Sequence, residues 1–250
     1  MEAKDFGKVA VLMGGTSNER EISLKSGETV LNALLRKKIA AVSIDPKKHN
    51  LNQLRNFDRA FICLHGKDGE DGEIQTFLEA INVPYTGSDI LSSSLGMDKF
   101  ESKTIWKQKN ISTPNFMQVS HIDDFVRASN CCGLPFFIKP ANSGSSIGIA
   151  IINNENDFIF AFEEAYKIDK IVIVESFIIG NEYTLPIIEN KTLPIIEIKP
   201  KTEFYDYEAK YLRDDTEFIC PVDIPSPLIE NINKLCINAF NAIGCIGWGR

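Results

Sequence analysis

What the chain lacks narrows its chemistry before any motif is read. It has no basic excess: 27 Lys and Arg stand against 34 Asp and Glu, a formal net charge of −7. A nucleic-acid surface needs a basic face, so nucleic acid is not an expected partner. The one tight basic run, Arg36-Lys37-Lys38, closes a helical pattern and there complements the helix dipole. No apolar run approaches the length of a membrane span, and no charged-then-apolar leader precedes the first strand. The six cysteines, Cys63, Cys131, Cys132, Cys220, Cys236 and Cys245, contain no C-x-x-C pair. Set mostly within apolar runs, they read as buried thiols of a reducing compartment, and the expected location is the cytoplasm. No second histidine lies near His65 in sequence, so a metal site is not supported. Without a G-x-S-x-G elbow, a Ser-His-Asp triad is not supported either.

What is present is an ordinary globular composition, 44% hydrophobic and 24% charged. The length suits one large domain or two to three small ones. Lys8 to Met13 is an apolar run that stops at Gly14-Gly15 and is followed by a helical face of Val30, Leu31, Leu34 and Leu35. Ala40 to Ile44 and Arg59 to Leu64 read as further strands, the latter ending at His65-Gly66, and Gly72 to Ile81 as a helix. Strands alternating with helices imply a parallel sheet, whose ligands sit at the carboxyl ends of its strands, where Gly14-Gly15 and His65-Gly66 both lie. A turn-rich stretch, Pro84 to Ser88, marks a first boundary, and the connector Phe177 to Gly180 a second. The expected division is residues 1–87, 88–175 and 176–250.

The middle of the chain carries the most informative stretch, Pro135 to Ile152. Two apolar runs flank a loop, Gly144-Ser145-Ser146-Ile147-Gly148, and Lys139 closes the first. Glycines let backbone approach a ligand and amides form a concave anion site, so the pattern suits a phosphate clamp. It suits equally an ordinary Gly/Ser hairpin with a solvated lysine. Lys99, Lys139 and Lys210 occupy three separate turn or loop contexts, each of which alone reads as a surface lysine. Glu182 to Ile188 and Thr192 to Lys199 alternate as antiparallel strands, while Phe204 to Tyr211 has no clean period and suits a functional loop. The last helix is expected to start with Ser226 as N-cap and Pro227 at its first position, and Gly247-Trp248-Gly249-Arg250 to open a further strand.

Taken together, Gly14 to Glu21, Leu64 to Gly72, Pro84 to Ser88, Met97-Asp98-Lys99, Lys139-Pro140, Gly144 to Gly148, Phe204 to Tyr211 and Gly247 to Arg250 resemble, in order, the motifs of the D-alanine:D-alanine ligase family of the ATP-grasp superfamily. The resemblance implies an ATP-grasp α/β architecture. An N-terminal parallel α/β domain would precede a central ATP-binding lobe and a truncated C-terminal lobe. The implied activity is ATP-dependent ligation of two D-alanines through an acylphosphate for peptidoglycan precursors, with ATP and Mg²⁺ as cofactors in a homodimer. By position, Lys99, Lys139 and the loop of Gly144, Ser145 and Ser146 would hold ATP phosphates. Glu175 and Ile178 would line the adenine connector, Glu182 the ribose, and Lys210 would reach the γ-phosphate. Glu19 would bind the first ammonium, with His65 near the carboxylate, and Glu19, Ser145 and Tyr211 would form one hydrogen-bonded set. Arg250 would stabilise the tetrahedral intermediate.

The resemblance further implies that the Mg²⁺ ligands follow the Gly-Trp-Gly-Arg motif, beyond Arg250, so no residue here is assigned to metal. The 250-residue chain is then expected to show little ligase activity. Two other readings stand beside this one: a non-catalytic nucleotide-binding remnant or partner-binding protein, and another ATP-grasp carboxylate:amine ligase.

Overall fold

In the computed structural model, which describes residues 2–202, 205 and 207–250, the apolar run after Lys8 forms β1, Val9–Leu12, buried at every position. A strand with no solvated face belongs in the middle of a parallel sheet. β1 is central between β2, Ala41–Ile44, and β3, Arg59–Ile62, both parallel to it. The helices are α1, Arg20–Arg36; α2, Glu73–Ala80; and α3, Ile90–Met97. Leu12, Leu54 and Leu78 are fully buried in the core beside the sheet. The chain divides into two units, Met1–Gly96, built on this sheet, and Met97–Arg250.

The second unit begins at α4, Lys99–Gln108, whose N-cap Asp98 accepts hydrogen bonds from the amides of Phe100 and Glu101. Then come β4, Phe116–Val119; α5, Phe125–Cys132; β5, Phe136–Pro140; β6, Ala150–Ile152; α6, Glu155–Ile168; and β7, Val172–Ser176. They form an antiparallel sheet in the order β4-β7-β5-β6. Strand alternation decides what each face does. Phe136 and Ile138 are fully buried in a cluster with Phe158, while Phe137 and Lys139 lie on the opposite, partly open face. Phe137 stands opposite Glu175, and Glu175 opposite Phe116, so Phe116, Phe137, Lys139 and Glu175 share that face.

The remaining strands are short: β8, Glu182–Thr184; β9, Ile187–Ile188; β10, Lys191–Thr192; and β11, Ile196–Lys199. Two long strands were expected here. Pro186 and Pro194 interrupt them, because proline has no amide to give a ladder. The pieces enter two three-stranded sheets, completed by β12, Glu217–Ile219, and β13, Trp248–Gly249. In the chain, α7, Tyr207–Tyr211, lies between β11 and β12, and α8, Ser226–Ala242, between β12 and β13.

Three expectations are corrected. Pro225, not Ser226, is the N-cap of α8: its extended backbone (φ −57°, ψ 136°) already takes the non-helical position, so Ser226 is the first helical residue and Pro227 the second rather than the first. The stretch expected as a loop holds the short helix α7; its Phe204 and Asp206 fall outside the described residues. Cys220 is exposed rather than buried, although all six cysteines are free thiols.

Candidate functional site

On the open face of the second unit's sheet, charge is gathered unevenly. Lys139 pairs with Oε1 of Glu175. Oε2 of the same carboxylate takes Lys103 Nζ at 2.7 Å. Burial pushes Glu175 up, but the charges of Lys139 and Lys103 outweigh it and hold the carboxyl below the ordinary range. Lys103 is 8% exposed; its ammonium also donates to Thr113 Oγ1 at 2.7 Å and lies 5.4 Å from the Phe116 ring centroid. Lys99, one turn earlier on α4, donates from Nζ to the carbonyls of Ala141 (3.1 Å) and Ser143 (2.5 Å). Burial, then the nearby Lys139 charge, brings its pKa down to about 8. Asp98 and Asp169 act on Lys99 electrostatically, yet Asp98 accepts from the amides of Phe100 and Glu101, and Asp169 from Asn142 and Ile171. Three lysines thus converge where one carboxylate is bound, which is the electrostatic need of a polyanion.

The Gly144 to Gly148 loop starts where Lys99 is anchored. Ser145 and Ser146 have φ of 54° and 60°, a left-handed conformation that is strained for non-glycine residues. Gly148, at φ 72°, sits where a Cβ would collide with Ile168 and Pro140. The loop is tied to α7 at two points. Ser145 Oγ and Tyr211 Oη are 2.7 Å apart, and Lys210 Nζ donates to Ser146 Oγ at 2.8 Å. Ser146 Oγ in turn donates to the carbonyl of Tyr205 at 3.0 Å. Glu182 begins β8 on an exposed edge; partial desolvation raises its carboxyl, while Lys210 and Lys139 draw it back down. Ile178, in the connector after β7, is 65% exposed. Arg250 is exposed and acts electrostatically on Tyr205.

The first unit brings Glu19 and His65 together at the carboxyl ends of β1 and β3. Glu19 caps α1, and its Oε2 lies where a Cβ on Gly66 would fall. Ser17 Oγ donates to the His65 carbonyl at 2.7 Å, and Ser26 Oγ lies 3.2 Å from His65 Nε2. Beneath them Ser23 Oγ accepts from Gly14 N (2.8 Å) and donates to the Cys63 carbonyl (2.7 Å), joining the two strand ends. Arg20 bonds both oxygens of Asp45, at 3.1 and 2.6 Å, and the Gly15 carbonyl at 2.6 Å. The Arg20 hydrogen bond is the main reason that the Asp45 carboxyl is lowered to about 2.

Lys103 and the Arg20–Asp45 pair were not among the residues singled out in the sequence. A signal for Lys103 exists: it is four residues after Lys99 on one helix, so both project from the same side. Asp45 carries no such signal, because its partner is 25 residues away.

Residues 105–250 match the family model described as D-ala D-ala ligase C-terminus, and residues 40–88 the model described as D-ala D-ala ligase N-terminus. A D-alanine--D-alanine ligase of Dechloromonas aromatica is 48% identical over 245 residues, which are 98% of this chain and 81% of the relative. A crystal structure of D-alanine--D-alanine ligase from Bacillus anthracis superposes with a TM-score of 0.83 at 33% identity, covering 96% of this chain and 80% of that one. A second structure of the ligase from that organism, complexed with ATP, gives 0.81 at 30% identity, covering 97% and 79%. The architecture is therefore the ATP-grasp fold. With both family models matched and a relative nearly half identical along almost the whole of this chain, the chain belongs to the D-alanine–D-alanine ligase family.

Proposed function

We propose that this protein binds ATP on the open face of the second unit and uses it to join two D-alanines. The carboxylate of the first amino acid attacks the γ-phosphorus, giving an acylphosphate and ADP; the amine of the second then attacks the acyl carbon, and phosphate leaves. The phosphoryl step is needed because a carboxylate is a poor electrophile. The observation that carries the reading is the pairing of Lys139 and Lys103 with the one carboxylate Glu175, beside Lys99, which is anchored on the carbonyl just before the glycine loop.

In this reading Lys99 and Lys139 hold phosphates, Gly144, Ser145 and Ser146 cover them, and Lys210 approaches the γ-phosphate from α7. Glu175 and Ile178 flank the adenine and Glu182 the ribose. Glu19 receives the first ammonium, His65 stands near its carboxylate, and Arg250 stabilises the negative charge of the tetrahedral intermediate. The Ser145–Tyr211 hydrogen bond ties loop to lid, which keeps water from an acylphosphate. The three functional lobes are residues 1–87, 88–175 and 176–250.

Magnesium is a different matter. Among the described residues the one group of three potential ligands is Asp68, Asp71 and Glu73, which belongs to the first unit and not to the lysine cluster. Among the described residues, none supplies a three-ligand Mg²⁺ site beside the lysines. For that reason the 250-residue chain alone is expected to turn over slowly. Among the described residues no helix is long and apolar enough to cross a membrane; with six free thiols, this supports a cytoplasmic enzyme, in the homodimeric state usual for the resemblance.

The test is release of ADP on adding ATP, Mg²⁺ and D-alanine, run on this chain and on the full product of its gene. D-alanine-dependent ADP release by the gene product is expected. ADP release that ignores D-alanine overturns the ligase reading, and full turnover by residues 1–250 overturns the reading of the metal.

A further inference from the structure

Lys103 is buried as deeply as a core residue, and an ammonium kept from water needs a compensating partner and a reason to be there. Its partner is Glu175, whose other oxygen holds Lys139. One carboxylate with two cations is an uneconomical way to stabilise a fold, since either lysine alone would neutralise it. The arrangement makes sense if one of the cations has to leave. Lys139 cannot give its charge fully to Glu175 and to a phosphate at once. If it moved without Lys103 in place, a buried carboxylate would be left uncompensated, which is strongly unfavourable.

Resting on the ATP reading above, we propose that Lys103 is a positioning residue that holds Glu175 in its ionised, fixed place so that Lys139 can transfer from Glu175 to the nucleotide phosphates. The geometry suits the role. Lys103 is held on three sides, by Glu175 Oε2, by Thr113 Oγ1 and by the Phe116 ring, while Lys139 comes from the strand that leads into the glycine loop. Lys103 therefore stays when Lys139 moves. The other ionisable groups that act on this cluster are Lys99 from α4, itself under the charges of Asp169 and Asp98; Glu182 from β8, a carboxyl raised by burial and drawn down by Lys210 and Lys139; and Cys132 from α5, a thiol raised to about 12 chiefly by burial and so neutral in the working range.

The experiment is calorimetric titration of the 250-residue chain with ATP, for the wild type, Lys103→Met, Lys103→Gln, Lys103→Arg, Glu175→Gln and the Lys103→Met/Glu175→Gln pair. Removing the charge at 103 is expected to weaken ATP binding by roughly tenfold or more at about pH 8. The defect relative to wild type, a ratio that cancels the nucleotide's own protonation, should shrink as the pH falls to about 6, because a buried Glu175 facing only Lys139 has a higher pKa and, once protonated, releases Lys139. Lys103→Arg should stay within about threefold of wild type, and Lys103→Met should cost less than about twofold in the Glu175→Gln background. Lys103→Gln keeps a donor toward Glu175 and guards against a variant that fails to fold. Unchanged affinity, a defect equal at both pH values, or an equal defect without the Glu175 charge overturns the role of Lys103 alone. A wild-type chain that binds no ATP overturns the ATP reading itself.

Discussion

The two units treat buried charge in opposite ways. In Met1–Gly96, Arg20 and Asp45 satisfy each other through two hydrogen bonds, and both also bind the Gly15 backbone. The pair is neutral and closed, and what it does is brace a turn. In Met97–Arg250, Lys103 and Lys139 share one carboxylate, while the Lys99 ammonium beside them hydrogen-bonds two carbonyls and feels Asp98 and Asp169 only electrostatically. A closed pair is a structural device; a surplus of one sign, kept out of water at the cost of lowered lysine pKa values, is what a site for an anion looks like before the anion arrives.

The largest effect that separates the two should come from Lys139→Ala, which removes the cation on the strand that leads into the glycine loop. ATP affinity is expected to fall on the order of a hundredfold, since truncating one member of a desolvated charge pair costs about 2–5 kcal/mol. A titration showing unchanged affinity would take Lys139 out of the phosphate site and make this cluster as closed as that of the first unit.

Next comes a pH effect. Lys99 titrates near 8 in the protein without nucleotide, well below an ordinary lysine. Below that pH it is charged and its burial is unfavourable; above it the ammonium is lost and must be regained when a phosphate binds. ATP affinity should therefore decline above about pH 8, by up to about tenfold per unit, until the pKa of the bound state is reached. Lys99→Met should remove this inflection, and binding that stays flat from neutral to alkaline pH in the wild type would show that Lys99 carries no phosphate.

The smallest effect belongs to the closed pair. Asp45 is lowered to about 2, so its ionised form stabilises the fold fully above the ordinary carboxylate range and that contribution is lost as the pH falls toward 2. Asp45→Asn should lower Tm by a few degrees, on the order expected for one lost ionic bond, and flatten the acid side of the stability profile. It should leave ATP affinity within about twofold, as a site in a separate unit would. Thermal melts across the acid range check the first part.

Much of this was legible in the sequence where a local rule was strong. Val9–Leu12 and the Lys139 hairpin follow from apolar runs and turn residues, and these elements appear as expected. The Glu182 to Lys199 region was legible as a hairpin but not as two sheets, because the choice of partner for each short strand is a tertiary matter that Pro186 and Pro194 only permit. Lys99, Lys139 and Lys210 could be singled out by their loop contexts. Lys103 had only its spacing of four from Lys99 to mark it, and its contacts with Phe116 and Glu175 show what it faces. Asp45 was hidden, since the bond that explains it joins two strands' ends through a helix.

The central claim is that the surplus cations of the second unit receive nucleotide phosphates while the charges of the first do not. Lysine acetylation footprinting with and without ATP, read by mass spectrometry on one sample, tests both halves at once. Protection of Lys139 and Lys210 by ATP, with Lys47 and Lys67 of the first unit reacting as before, is the result predicted. Protection confined to the first unit, or none at any lysine under saturating ATP, would contradict it.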